Sequence, residues 1–132
     1  MTVFVDTSAV YALLDADDAH HEQSAKVWYE LLDGDDRLVT TNYAVVECVA
    51  LAQQRLGMAA VGVLLDDVLR VMEVVWIDPD IHARAVAAML VAGRRKLSLV
   101  DCASFEVMRS AGIRSAFTLD RHFAEQGFER RP

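Results

Sequence analysis

Proline is almost missing from this chain of 132 residues: Pro79 and Pro132 are its two prolines, and no stretch rich in Pro, Gly or Ser interrupts it. There is no linker, no low-complexity segment and no internal repeat, so the chain reads as a single domain, 1–132, long enough to bury a core. Cysteine is equally scarce. Cys48 and Cys102 are far apart and form no C-x-x-C spacing, which argues against a thiolate metal site. They read as small buried hydrophobes of a reducing compartment, although each neighbours an acid and the two can meet in space. No apolar run approaches the roughly 18 residues of a membrane span. Met1–Asp6 has no basic segment and too short an apolar run for a secretory signal, so a cytoplasmic protein is expected. Positive charge is also in deficit. Thirteen Lys and Arg against 20 Asp and Glu give a net charge of −7, which taken alone argues against non-specific nucleic-acid binding.

Apolar residues are abundant, at 54%, and leave hydrophobic surface for a partner or a second copy. Within them stand four carboxylates. Asp6 ends Val3-Phe4-Val5, Glu47 interrupts the apolar stretch from Tyr43 to Ala52, Asp101 follows Leu97-Ser98-Leu99-Val100, and Asp120 follows Ala116-Phe117-Thr118-Leu119. An ionised acid in apolar surroundings costs several kcal/mol or more unless a cation or donors compensate it. No matching Lys or Arg is embedded beside them, so four such acids point to a shared hard divalent ion. One bound ion would bring the charge from −7 to −5, two to −3. The acidic total therefore leaves a phosphodiester substrate open.

Hydrophobic periodicity alternates strands with helices. Strands are expected at Thr2–Val5, Arg37–Val39, Glu73–Ile77 and Ser115–Leu119, with a short edge strand at Gly127–Arg130. Helices are expected at Ser8–Asp15, Glu22–Leu32, from the caps Thr40–Asn42 to Gln54, at Met58–Leu69, Pro79–Ala92, and from Ser98 to Ser110. Gly57, Gly93 and Gly112 act as breaks. This order implies an α/β fold: a mostly parallel sheet with helices on both faces and ligands outside the carboxyl ends of the strands. Asp6 and Asp120 end the first and fourth strands. Glu47 and Asp101 lie in opening turns of helices that follow loops on the same edge. The four acids can therefore converge.

Converging carboxylates without an obvious His or Cys select Mg²⁺ or Mn²⁺ over Zn²⁺. Such an ion activates water and neutralises a phosphate oxygen, which matches phosphodiester hydrolysis. Ser8 either orients Asp6, holds a water, or caps a helix. Ser98 caps its helix or bonds Asp101, and Thr118 shares a strand face with Asp120 and can steady it. Arg94, Arg95 and Lys96 form a basic run that either contacts phosphates or is a solvated patch. His20, His21, His82 and His122 read as surface or capping residues, and no nucleophilic triad is supported. An aspartic protease requires glycine where Ser8 stands, and a haloacid dehalogenase-type phosphatase requires a second acid there. Both are excluded.

Together, Val3-Phe4-Val5-Asp6-Thr7-Ser8, Thr40-Thr41-Asn42 leading to Glu47, Leu97–Ser104, and Phe117-Thr118-Leu119-Asp120-Arg121-His122-Phe123 resemble the PIN domain, and within it the VapC toxins of bacterial toxin–antitoxin modules. The resemblance runs the length of the chain. It implies a three-layer α/β/α fold with a sheet of four to five strands, and a Mg²⁺- or Mn²⁺-dependent endoribonuclease that inhibits translation and growth. Asp6, Glu47, Asp101 and Asp120 match the family's acidic quartet. Asp6 and Asp101 are expected as direct ligands, Glu47 and Asp120 through water or a second ion, with Ser8, Ser98 and Thr118 in support. A homodimer and a VapB-like antitoxin are also implied. The antitoxin would lay an apolar segment over the early helices, with Tyr11, Leu14, Trp28 and Leu32 either contacting it or belonging to the core. Two alternatives remain at this stage: a non-cleaving module that binds protein or RNA, and a DNA- or structure-specific nuclease using the same acids.

Overall fold

The computed structural model describes residues 1–131. Its centre is a five-stranded sheet in the order β3-β2-β1-β4-β5, and every neighbouring pair is parallel. The strands are β1 (Thr2–Val5), β2 (Arg37–Thr41), β3 (Glu73–Val75), β4 (Ser115–Phe117) and β5 (Glu129–Arg131). Parallel strands buried on both faces are apolar without interruption, and alternate residues enter opposite cores. Val3, Val5, Leu38 and Phe117 pack on one face with Val27, Trp28 and Leu31. Phe4, Val39 and Ala116 pack on the other with Phe105, Met108 and Phe123. Cys48 belongs to the first core and Cys102 to the second. Both are free and buried, so the sheet separates them.

The helices are α1 (Thr7–Leu14), α2 (His21–Asp33), α3 (Asn42–Arg55), α4 (Met58–Val63), α5 (Pro79–Ala92), α6 (Leu99–Ala111) and a short α7 (His122–Glu125). Their ends follow capping chemistry. Thr41 accepts from Ala44 N–H at the start of α3, and Asp78 accepts from Ile81 N–H just before Pro79 opens α5. Gly93 and Gly112 close α5 and α6 in the left-handed region, at φ of 59° and 68°.

Several boundaries depart from expectation: β2 runs on past Val39 to Thr41, and α7 has no counterpart among the expected helices. The helix expected at Met58–Leu69 is α4 followed by a π-helical turn at Leu64–Val68 and a 3₁₀ turn at Leu69–Val71. The wide turn keeps Leu64 and Val68 in the core while Asp66 and Asp67 stay exposed. β3 stops at Val75 because Ile77 N–H turns to donate to Asn42 Oδ1 at 2.7 Å. β4 ends at Phe117: Thr118 N–H still donates to the Arg131 carbonyl at 3.3 Å, but Leu119 N–H then donates to Ser8 Oγ and Asp120 N–H to Thr118 Oγ1, each at 3.0 Å, so the strand cannot run on to Leu119. β5 begins at Glu129 because Gly127, at φ 90°, cannot lie in a strand.

Candidate active site

The carboxyl edge of β1 and β4 is where the acids gather. Asp6 follows Val5 directly and is the N-cap of α1. Its residue is 4% exposed, and its known hydrogen bonds fall on one oxygen. Oδ2 accepts from Ser8 Oγ at 2.7 Å, from Ser8 N–H at 3.4 Å and from Thr118 Oγ1 at 2.9 Å. Oδ1 faces none of these donors. Ser8 Oγ and Thr118 Oγ1 lie 3.2 Å apart, so β4 and the start of α1 are tied together through the Asp6 carboxylate. Asp6 thus takes the capping place expected of Ser8, which lies one residue inside α1 and orients the Asp6 carboxylate, while Thr118 steadies Asp6 as well as the amide of Asp120.

Asp101 sits three residues into α6, and Ser98 caps that helix in a reciprocal capping box. Asp101 N–H donates to Ser98 Oγ and Ser98 N–H donates to Asp101 Oδ2, each at 3.1 Å. Asp6 and Asp101 thus both lie at helix N-termini, where exposed amides favour negative charge. Glu47 stands in the second turn of α3, one turn deeper than the sequence suggests, and is half-buried. Asp120 closes an Asx turn, its Oδ1 accepting from His122 N–H at 2.9 Å.

The charges of the four meet although the chain separates them. Burial pushes the Asp6 carboxyl up from its ordinary value of 3.8 to about 6, opposed by the Ser8 and Thr118 hydrogen bonds and reinforced by the charges of Asp101 and Asp120. Burial also raises Glu47, opposed by the Thr7 hydroxyl and reinforced by the same two acids. Asp101 is raised by burial first, with the Ser98 backbone lowering it and the Asp120 charge raising it. Among the described residues, no Lys or Arg forms an ion pair with any of the four. A cluster of mutually repelling oxygen donors without a resident cation fits a divalent metal.

Asp101, Asp120 and His122 can each offer a ligand atom within 4.8 Å of the others. Asp6 and Glu47 stand outside that triplet but within reach of its field. An open recess of about 400 Å³ adjoins it, lined by Lys96 and Arg121 as well as Asp120 and His122. Arg94 borders the recess with its guanidinium paired to Glu125 at 2.6 Å. Arg95 is exposed and does not line it.

Sequence reasoning missed two residues. The sequence position of His122 suggests a surface or capping side chain, yet its side chain is 14% exposed and its Nδ1 lies 3.1 Å from Asp120 Oδ1. The signal was the spacing: an Asx turn two residues long folds the third residue back beside its acid. Thr7, buried between α1 and α3, lies beside Glu47 with its hydroxyl 3.2 Å from the Ala44 carbonyl. A threonine at the first helical position has an ordinary structural reading, and nothing in the sequence singled it out.

Known proteins resemble this chain over its length. The family model of the PIN domain matches residues 3–129. The 23S rRNA-specific endonuclease VapC20 of Mycobacterium tuberculosis is 34% identical over 130 residues, covering 96% of this chain and 95% of that protein. The crystal structure of M. tuberculosis VapC20, described as a sarcin–ricin loop cleaving toxin, superposes with a TM-score of 0.82 at 32% identity, covering 98% of this chain and 99% of that one. FitAcB from Neisseria gonorrhoeae superposes at 0.71 with 15% identity over 100% of this chain and 97% of that one, which is a likeness of fold.

Proposed function

The chain belongs to the PIN-domain family, and from that premise we propose that it is a divalent-metal-dependent endoribonuclease acting as the toxin of a toxin–antitoxin pair. What supports the proposal is that Asp6, Glu47 and Asp101 each feel the charge of Asp120 near the carboxyl edge of β1 and β4, with no Lys or Arg paired to any of the four among the described residues. These acids would hold Mg²⁺ or Mn²⁺, as one ion or two. A bound ion supplies an activated water and neutralises charge on the phosphate. Ser8 and Thr118 fix the Asp6 carboxylate through Oδ2, so that its orientation is set before substrate arrives. Ser98 does the same for Asp101. Lys96 and Arg121 line the open side and offer positive charge to a nucleic-acid backbone.

Full-length similarity to an enzyme named for 23S rRNA favours the same target class here. Cleavage of that RNA would stop translation, as the toxin reading requires. Intact ribosomes incubated with the protein and Mn²⁺ should yield one dominant new 5′ end in the large ribosomal RNA. Cleavage of DNA with equal efficiency would favour the DNA-directed alternative, and binding without any new RNA end would favour the non-cleaving module.

A VapB-like antitoxin and a second copy of this chain are the proposed protein partners. An apolar recess of about 300 Å³ between α1, α2 and α4, lined by Leu14, Trp28, Tyr29 and Val63, suits the apolar segment of an antitoxin. Trp28 is a core residue whose side chain forms the floor, while Tyr29 and Leu32 are exposed. Tyr11 is partly buried under the Arg55 guanidinium, 5.6 Å from its ring centre. Leu90 and Val91, at the exposed end of α5, offer apolar surface to a second copy.

A further inference from the structure

We propose that His122 is a direct metal ligand, so that Asp101, Asp120 and His122 form a mixed oxygen–nitrogen centre favouring a transition-metal divalent ion over Mg²⁺. The inference rests on the nuclease reading above and goes beyond its four acids. Three observations carry it. The ligand atoms of the three residues lie within 4.8 Å of one another, close enough to share one ion. The His122 ring lies against the Asp120 carboxylate, with Nδ1 3.1 Å from Oδ1 and 3.4 Å from Oδ2, so the two side chains already point to one place. Its side chain is 14% exposed, and the neighbouring recess is large enough for water to complete a coordination shell.

The chemistry then separates cations. Mg²⁺ demands oxygen ligands and sheds water reluctantly, whereas imidazole suits the transition metals, with affinity rising from Mn²⁺ through Co²⁺ and Ni²⁺. A set of two carboxylates and one imidazole should therefore bind Mn²⁺ more tightly than Mg²⁺, and Co²⁺ more tightly still. A histidine that merely positioned Asp120 would act otherwise. Loss of such a supporting partner lowers affinity for every cation, by about 10- to 100-fold. Loss of a nitrogen ligand acts on the nitrogen-favouring cations and spares Mg²⁺.

The test reads the nitrogen itself. Pulsed electron paramagnetic resonance of Mn²⁺ bound to the whole protein should show modulation from one directly coordinated ¹⁴N, absent in His122→Gln. In calorimetric titrations, His122→Gln should weaken Co²⁺ binding about 10-fold or more while Mg²⁺ binding changes by less than about twofold. Mn²⁺ bound by the wild type without nitrogen modulation would overturn the His122 assignment and leave the acidic metal centre standing. No binding of Mn²⁺ at all would overturn the metal-dependent nuclease reading and this inference with it. The wild-type spectrum decides the question even if the variant fails to fold.

Discussion

Replacing Asp6 by Asn should stabilise the protein while destroying its activity, and the size of the effect follows from the burial of one carboxylate. The folded state holds Asp6 at about 6 against an ordinary 3.8, mainly through desolvation. Below pH 3.8 the group is protonated whether folded or unfolded and contributes nothing. Between 3.8 and about 6 the unfolded chain ionises first, so stability falls as pH rises. Above about 6 the full penalty stands. At about 1.4 kcal/mol per pH unit, the difference between 3.8 and about 6 amounts to about 3 kcal/mol. That figure already includes the Ser8 and Thr118 bonds; Asn keeps an acceptor for both but buries an amide donor in place of the second oxygen, which offsets about 1 kcal/mol. A net gain of about 2 kcal/mol at pH 7.5 corresponds to a melting temperature higher by about 7 °C for a domain of this size. The assay is thermal unfolding in EDTA at pH 7.5 and at pH 4. The gain should be present at pH 7.5 and nearly gone at pH 4. Adding Mn²⁺ should then raise the wild type more than it raises Asp6→Asn. A variant destabilised equally at both pH values would refute the reasoning, because Asp6 would then be a structural cap whose charge the fold requires.

Other expectations follow from single contacts. Thr118→Val removes a donor to Asp6 and an acceptor for the Asp120 amide. It should cost about 1–3 kcal/mol in urea unfolding, and it should move the acidic limb of the cleavage profile to higher pH, since the lost bond holds the Asp6 carboxyl down. Lys96→Gln, at the mouth of the recess, should weaken RNA binding across sequences and reduce the slope of log affinity on log salt by about 1. In filter-binding titrations an unchanged slope would remove Lys96 from the phosphate contacts. Tyr29→Glu places a charge at the rim of the apolar recess while remaining remote from the acids. It should abolish co-purification with the cognate antitoxin and leave RNA cleavage unchanged.

The sheet and the acids were legible because both depend on strong, local signals. Val3-Phe4-Val5 and Ala116-Phe117 have no polar face, so they had to be central strands buried on both sides. Asp6 and Asp101 had to lie near helix starts because the chain turns there with capping residues to hand. What escaped depends on the third dimension. The capture of Leu119 N–H by Ser8, far away in sequence, ends β4, and periodicity in β4 carries no trace of it. The π-helical turn at Leu64–Val68 preserves the apolar spacing of a helix, so the two cannot be told apart from hydrophobicity. His122 looked like a cap because its position in the chain is that of a cap. Its ring lies beside the Asp120 carboxylate because Asp120 folds the backbone under it.

RNA cleavage by the purified protein, freed of antitoxin and assayed with Mg²⁺, Mn²⁺ or EDTA beside identically prepared Asp6→Asn and Asp101→Asn, tests most directly whether the four acids act as one metal-dependent centre. The account predicts cutting in Mn²⁺ that EDTA abolishes and that both folded variants lack. Cutting that survives EDTA, or that either variant retains at the wild-type rate, would contradict it.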